Sequence, residues 1–396
     1  MPSSSASRRP KALVARGARL AGHLLVAAVC LEVAARVDDR LTYGAPFWAR
    51  YDADRLRAHD ADGLVRNVPG AQFEKWRINA LGFRGDEIPV AKPAGRVRIA
   101  CLGTSETFGL YEREGGDWPA RLQVLLQASH PGAEAFNASV VGLQRHTRQP
   151  YIDRYVLPLR PDVLVLYFNV LQDATYRPPA SADGRGGAAA RSGPPASASL
   201  LDGLPASRAL PKIRRVVTSA IPNSLWNRVR TWRLSRTVSR YERTMLGDRL
   251  PMDVLPTEVV TGFERHLREI VLAQRERGVV PVLATYPTLG TAANRHLHHL
   301  EFLSEREYQF EVSDLGLIDA AAELNDAVRR AARELTVPLV DVDAALPKTS
   351  AYFADYVHYT DAGAELVAAQ VLAALERAGV IADPSAMTAG RSGAVR

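Results

Sequence analysis

The chain has 396 residues, 47% hydrophobic and 23% charged, enough to bury a full core and carry an additional segment. Two cysteines, Cys30 in an apolar run and Cys101 on a predicted strand, argue against a disulfide scaffold, and no CxxC or Cys/His cluster points to a metal. The formal net charge of +7 sits in residues 1–20 (five cations, no acid) and 205–250 (eleven Arg or Lys against Glu242 and Asp248), so the remainder is net acidic and no nucleic-acid surface is implied.

From Leu20 to Leu31 the sequence LAGHLLVAAVCL is nearly all apolar, interrupted by His23; Glu32 follows, and Arg36, Asp38, Asp39 and Arg40 close the run. Cations ahead of an apolar run are the layout of an export signal. Counted on through Ala35, the run approaches the ~20 residues that span a bilayer. No small-x-small cleavage site precedes the charges, which favours a retained signal anchor through residues 20–36 over a cleaved peptide. Either form of export places the rest of the chain outside the cytoplasm.

Leu41 to Ala94 is irregular, with Trp48, Trp76 and RINALGFRGDEIP at 77–89, and reads as a partly extended lead-in packed against the domain that follows. Val97, Ile99, Cys101 and Leu102 then form an apolar run suited to a buried parallel strand. Asp117–Gln127, with an acidic start and Pro119 in its first turn, predicts a helix against a sheet. EAFNASVV at 134–141 predicts the second strand, His146–Leu157 a helix, and VLVLYF at 163–168 the third strand. Pro178–Pro195 is Ala, Gly, Ser and Pro and reads as a flexible linker. Lys212–Arg249 is basic and helical in spacing, with Leu225, Val229 and Trp232 on one face and arginines 233, 236, 240 and 243 along another.

Alternation resumes with a helix at 258–277 closed by Gly278, a strand at 279–286, a helix at about 318–335, a fifth strand at 337–343 and a closing helix at 360–378. His296, His298 and His299 read as a solvated helix face in preference to a metal site. Strands alternating with helices predict an α/β protein, a three-layer α/β/α sandwich around a five-stranded, mostly parallel sheet.

Ser105 falls just past the carboxyl end of the first strand, the edge where open α/β sheets bind ligands. A serine hydroxyl is a weak nucleophile until a neighbouring base takes its proton. His358 supplies a base, and Asp355, three residues ahead of it, can hold the other ring nitrogen. Thr107 is expected to cap the following turn, and Asn137 to tie down a loop. The arginine face reads as solvated; the neighbouring Trp226 and Trp232 leave a membrane interface as the alternative.

These residues resemble the SGNH hydrolases, also called GDSL-type esterases. Gly103-Thr104-Ser105-Glu106-Thr107-Phe108-Gly109 is similar to the block Gly-Asp-Ser-x-Thr-x-Gly, with Thr104 in place of the aspartate. Asn137-Ala138-Ser139-Val140-Val141-Gly142 is similar to the second block. Asp355 and His358, followed by Tyr359-Thr360-Asp361-Ala362-Gly363, are similar to the last. The 77–89 segment and the Glu32…Arg36 edge of the apolar run resemble membrane-anchored bacterial members. The resemblance covers roughly 75–170 and 255–380 and leaves the basic segment unexplained.

It implies the flavodoxin-like SGNH hydrolase fold and a Ser105–His358–Asp355 triad with no cofactor. The expected oxyanion hole is built from the backbone N–H groups of Ser105 and Gly142 and a side-chain amide after the third strand. Where the family has Gly-x-Asn-Asp, this chain reads Phe168-Asn169-Val170-Leu171-Gln172-Asp173. Asn169 is the preferred amide and Gln172 the alternative.

The expected organisation is an export signal or anchor (1–40), a lead-in (41–95), the two parts of a hydrolase domain (96–175 and 256–382), a linker with a basic helical insertion between them (176–255), and a disordered tail (383–396). The expected function is removal or transfer of an O-acyl group on an envelope glycan or lipid by an exported, membrane-anchored serine esterase. Residues 205–250 are a candidate contact with an anionic surface. An O-acyltransferase acting on a polysaccharide, and a non-catalytic glycan-binding or assembly protein of the same fold, are the alternatives.

Overall fold

A computed structural model describes residues 8–48, 55–176 and 207–381; the expected linker at Pro178–Pro195 and the tail at 383–396 lie outside the described residues. The apolar run belongs to one long helix, α1 (Arg8–Tyr43), whose stretch from Arg16 is long and apolar enough to cross a membrane. The lead-in forms two small antiparallel ribbons, β1 (Arg57–His59) with β2 (Val65–Asn67), and β3 (Gln72–Phe73) with β4 (Trp76–Arg77). Then come β5 (Val97–Leu102), the short α2 (Ser105–Phe108), α3 (Trp118–Ser129), β6 (Ala133–Asn137), α4 (Arg148–Tyr151) and β7 (Val163–Leu166). After α5 (Val170–Ala174), the insertion supplies α6 (Ala209–Ala220) and α7 (Asn223–Tyr241). The chain ends through α8 (Thr257–Glu276), β8 (Val280–Ala284), α9 (His299–Arg306), α10 (Asp314–Glu334), β9 (Leu339–Val340), α11 (Val342–Ala345) and α12 (Asp361–Arg377).

Five strands form one parallel sheet in the order β6-β5-β7-β8-β9. Ile99 pairs with Ala135 on one side and Val163 on the other; Val163 pairs with Val280, and Leu283 with Leu339. Residues 99–102 and 163–166 are buried throughout, as expected for strands covered on both faces. α3 packs on α12, and α8 packs on α10, giving helical layers around the sheet. The fold is the expected α/β/α sandwich, with every strand pair of the five-stranded sheet parallel. Strand order reverses at β5, so the crevice at the carboxyl ends of β5 and β7 is the switch point where such sheets bind ligands.

Several boundaries differ from expectation. The second strand stops at Asn137, whose side chain accepts from the Ser139 N–H at 3.1 Å and turns the chain out of the sheet. The 146–157 helix is irregular: only Arg148–Tyr151 is α-helical, between a 3-10 turn and a π turn. The fifth strand is two residues long because the Asp341 carboxylate caps α11, which starts at once. The basic stretch 212–249 is not continuous. Pro222 fixes Ile221 in extended backbone, and the chain divides there into α6 and α7.

Candidate active site

Gly103 ends β5 where no side chain fits: a Cβ would lie 2.0 Å from Thr107 Oγ1 and 2.7 Å from the Tyr167 carbonyl oxygen. The chain then turns directly into α2, with Ser105 its first residue. Gly109 closes α2 in left-handed backbone (φ 84°) and donates its N–H to the Ser105 carbonyl. Arg84, from the lead-in, is buried beneath this turn. Its guanidinium donates to the Phe108 and Gly109 carbonyls and pairs with Asp117 at 3.3 Å. Asn137 Nδ2 donates to the Thr107 carbonyl (2.8 Å) and to Asp117 Oδ1 (2.9 Å), so Asn137 ties this loop down as expected. Thr107 does not cap the turn. Its hydroxyl is buried with no hydrogen-bond partner among the described residues, pressed under Gly103.

Asp355 and His358 lie on the loop before α12, which Thr360 caps through the Gly363 N–H. Asp355 Oδ1 accepts from the Val357 and His358 backbone N–H groups at 3.0 and 2.9 Å, and Oδ2 lies 2.8 Å from His358 Nδ1. Burial alone would raise the Asp355 pKa, but the bond to His358, its charge and the backbone donors bring it down to about 2. Burial would lower the His358 pKa; the Asp355 bond and charge, then Glu106 and Glu305, leave it raised. His358 Nε2 is buried with no hydrogen-bond partner among the described residues. Tyr111 packs beside the imidazole, ring centroids 5.3 Å apart.

Among the described residues, neither the Ser105 nor the Gly142 backbone N–H is spent on an acceptor. Gly142 has φ 79°, a conformation natural to glycine. Asn169 follows β7, and its Oδ1 caps α5 by accepting from the Gln172 N–H at 3.1 Å. That bond uses the amide oxygen and leaves Nδ2 as the donor. Gln172 instead lies within α5, its backbone held by Asn169.

Glu106 is the residue that sequence reasoning left out. An acid in the first turn of a helix reads as a solvated dipole partner, yet this carboxylate is fully buried. It accepts from Thr104 Oγ1 at 2.6 Å and from the Ser105 hydroxyl at 3.3 Å. Burial raises its pKa, and the nearby positive charge of His358 opposes that rise. Thr104, standing in the aspartate position of the resembled block, is thus the hydroxyl that holds Glu106. A second buried acid, Glu305, has its pKa pushed up to about 7, by burial first and then by Asp355.

On the insertion, α7 buries Leu234 and Val238 on the side that meets α9, and leaves Arg233, Arg236 and Arg240 exposed, as is Arg243 in the π turn that follows. Arg236 stacks over Trp232 at 4.9 Å. His296 and His299 are exposed, and His298 lies 3.9 Å from Glu301.

No family model matches the chain, and no curated protein matches it. Several solved structures are similar to it. The acetyl xylan esterase Axe2 from Geobacillus stearothermophilus shares 14% identity over 70% of this chain and 94% of its own, at a TM-score of 0.39. A protein assigned to the G-D-S-L lipolytic family from Desulfitobacterium hafniense shares 12% over 71% and 100%, at 0.39. The lipase/acylhydrolase from Enterococcus faecalis shares 15% over 73% and 98%, at 0.40.

Proposed function

We propose that the chain is a serine ester hydrolase of SGNH type, held in a membrane by α1 and working outside the cytoplasm on an O-acyl group of an envelope glycan or lipid. The observation that carries the reading is the Asp355–His358 couple. Its Nδ1 is committed to the carboxylate, and its Nε2 is unspent beside the turn that carries Ser105 and Glu106.

In this reading His358 Nε2 takes the Ser105 proton as Oγ attacks the acyl carbonyl carbon. Asp355 keeps the proton on Nδ1 and stabilises the imidazolium that forms. The developing oxyanion accepts from the Ser105 and Gly142 N–H groups and from Asn169 Nδ2. Collapse expels the alcohol, which receives the proton from His358, and leaves Ser105 acylated. Water, activated by the same imidazole, then releases the acid. The exposed arginines of α7 supply attraction to anionic head groups, about 1 kcal/mol for each basic residue close to such a membrane.

A non-catalytic reading has one observation in its favour: the Ser105 hydroxyl is directed to Glu106. Hydrolysis decides between the two. Purified full-length protein in detergent should cleave p-nitrophenyl acetate, and Ser105→Ala and His358→Ala should each remove nearly all of that activity, because members of a triad act as a unit. Hydrolysis unchanged in Ser105→Ala would reject the assignment.

A further inference from the structure

Surface helices of water-soluble domains bury their apolar stripe and present the polar face to solvent. α6 does the reverse. Its apolar residues Leu210, Ile213, Val216 and Val217 fall on one stripe, and all are exposed, Leu210 at 68% and Val216 at 69%. Its polar side is the side bound to protein: Lys212 pairs with Asp39 at 2.7 Å and with Asp38, and Arg215 pairs with Glu74. Past Pro222, Leu225, Val229 and Trp232 of α7 are exposed at helical spacing as well.

The start of α6 is fixed to α1 at one level. Glu32 accepts from the backbone N–H groups of Arg208 (2.9 Å) and Ala209 (3.1 Å) and from the Ser207 hydroxyl (2.8 Å). A carboxylate from α1 thereby satisfies donors at the amino end of α6 that have no partner within the helix. Glu32 lies one turn before the end of the apolar run of α1, which Val33, Ala34 and Ala35 continue and Arg36 closes. On its amino-terminal side Leu24, Leu25, Val26, Val29 and Leu31 are exposed; on its carboxyl side come Arg36, Asp38 and Asp39.

We infer that α6 and the first half of α7 form an interfacial element, its apolar stripe sunk into the same bilayer that α1 crosses. The inference rests on the reading of α1 as the anchor. The occupant of the stripe is lipid because the stripe begins at the apolar-to-polar boundary of α1 and continues that helix's own exposed apolar surface. Arg214, exposed on the stripe's flank, reaches the head groups along its aliphatic stem. α1 alone would leave the domain free to swivel. A second, in-plane contact fixes its height and tilt, and so the distance from the membrane at which the Ser105 crevice works.

The test uses the full-length chain, with Cys30→Ser and buried Cys101 retained, in phosphatidylcholine/phosphatidylglycerol nanodiscs. Spin labels are placed singly at Ile213→Cys, Val217→Cys, Ser219→Cys on the opposite face, and Val26→Cys in α1. Collisions with oxygen, which partitions into lipid, are compared with those of a water-soluble nickel chelate. The expected result is an oxygen-to-nickel ratio at 213 and 217 severalfold above that at 219 and close to that at 26. If 26 is in lipid while 213 and 217 match 219, the interfacial element is rejected and the anchor stands. If 213 and 217 are shielded from both probes, a protein surface covers the stripe and the inference is wrong. A water-exposed 26 overturns the anchor and the inference together.

Discussion

The Ser105 hydroxyl donates to Glu106 Oε2 at 3.3 Å, and His358 Nε2 has no hydrogen-bond partner among the described residues. The proposed nucleophile thus rests on a buried acid, and the proposed mechanism requires a rotation about its Cα–Cβ bond to bring it to its base. Replacing the acid by an amide keeps an oxygen that can accept from Ser105 and removes a negative charge near the imidazole. Glu106→Gln should therefore shift the acid limb of the kcat/KM profile to lower pH, because Glu106 is one of the groups that raises the His358 pKa. The accompanying loss in kcat should be smaller than the ~100-fold that marks a group transferring the proton itself. An unshifted limb would show that the carboxylate has no influence on the base.

In the proposed mechanism the same base sets the pH dependence of the native protein. His358 accepts a proton only as neutral imidazole, and its pKa is raised above the ordinary value of about 6.5. Activity should fall as pH drops through that raised pKa, placing the acid limb above pH ~6.5. In Asp355→Asn the limb should move down, since the Asp355 bond and charge are the chief groups raising it, and kcat should fall by about 10⁴-fold. Steady-state rates between pH 5 and 9 check both.

Asn169 is assigned two tasks that can be separated. As the cap of α5 it contributes about 1 kcal/mol, and as an oxyanion donor its loss should cost about 100-fold in kcat with little change in KM. Asn169→Ser keeps a capping oxygen and loses the amide donor. It should retain the native Tm yet lose as much activity as Asn169→Ala, while Gln172→Ala stays mild. The opposite ranking would move the third donor to Gln172.

The features legible in the sequence were those with strong local signals. Val97–Leu102 and Val163–Leu166 are unbroken apolar runs, and a buried parallel strand has little other pattern to show. Asp355 and His358 announce themselves by spacing, because three residues suffice for the loop to fold the carboxylate onto Nδ1. Glu106 was illegible because its burial depends on the His358 loop, far off in sequence, as well as on the neighbouring Thr104. The break at Ile221-Pro222 had a local signal, since proline disfavours helix in the residue before it, but the basic composition on either side masked it. The orientation of α6 could not be read at all: the sequence shows an amphipathic helix, and only its partners Asp38, Asp39 and Glu74 reveal which face is turned outward.

Arg84 links the lead-in to the turn that carries Ser105. It and Asp117 are each under 4% exposed, and removing one partner of a buried pair typically costs about 3–5 kcal/mol. Arg84→Met should lower stability in denaturant unfolding by that order and release the Phe108 and Gly109 carbonyls, with activity falling as the turn loosens. Stability close to wild type would mean that the turn is held by Asn137 and Asp117 without the lead-in.

The proposed function stands or falls on Ser105 as a nucleophile activated by His358. Full-length protein treated with a fluorophosphonate, digested and mapped by mass spectrometry tests it most directly. One adduct is expected, on the peptide carrying Ser105, lost in Ser105→Ala and strongly slowed in His358→Ala, where the base is gone. An adduct on another serine, or labelling of Ser105 at an equal rate without His358, would contradict it.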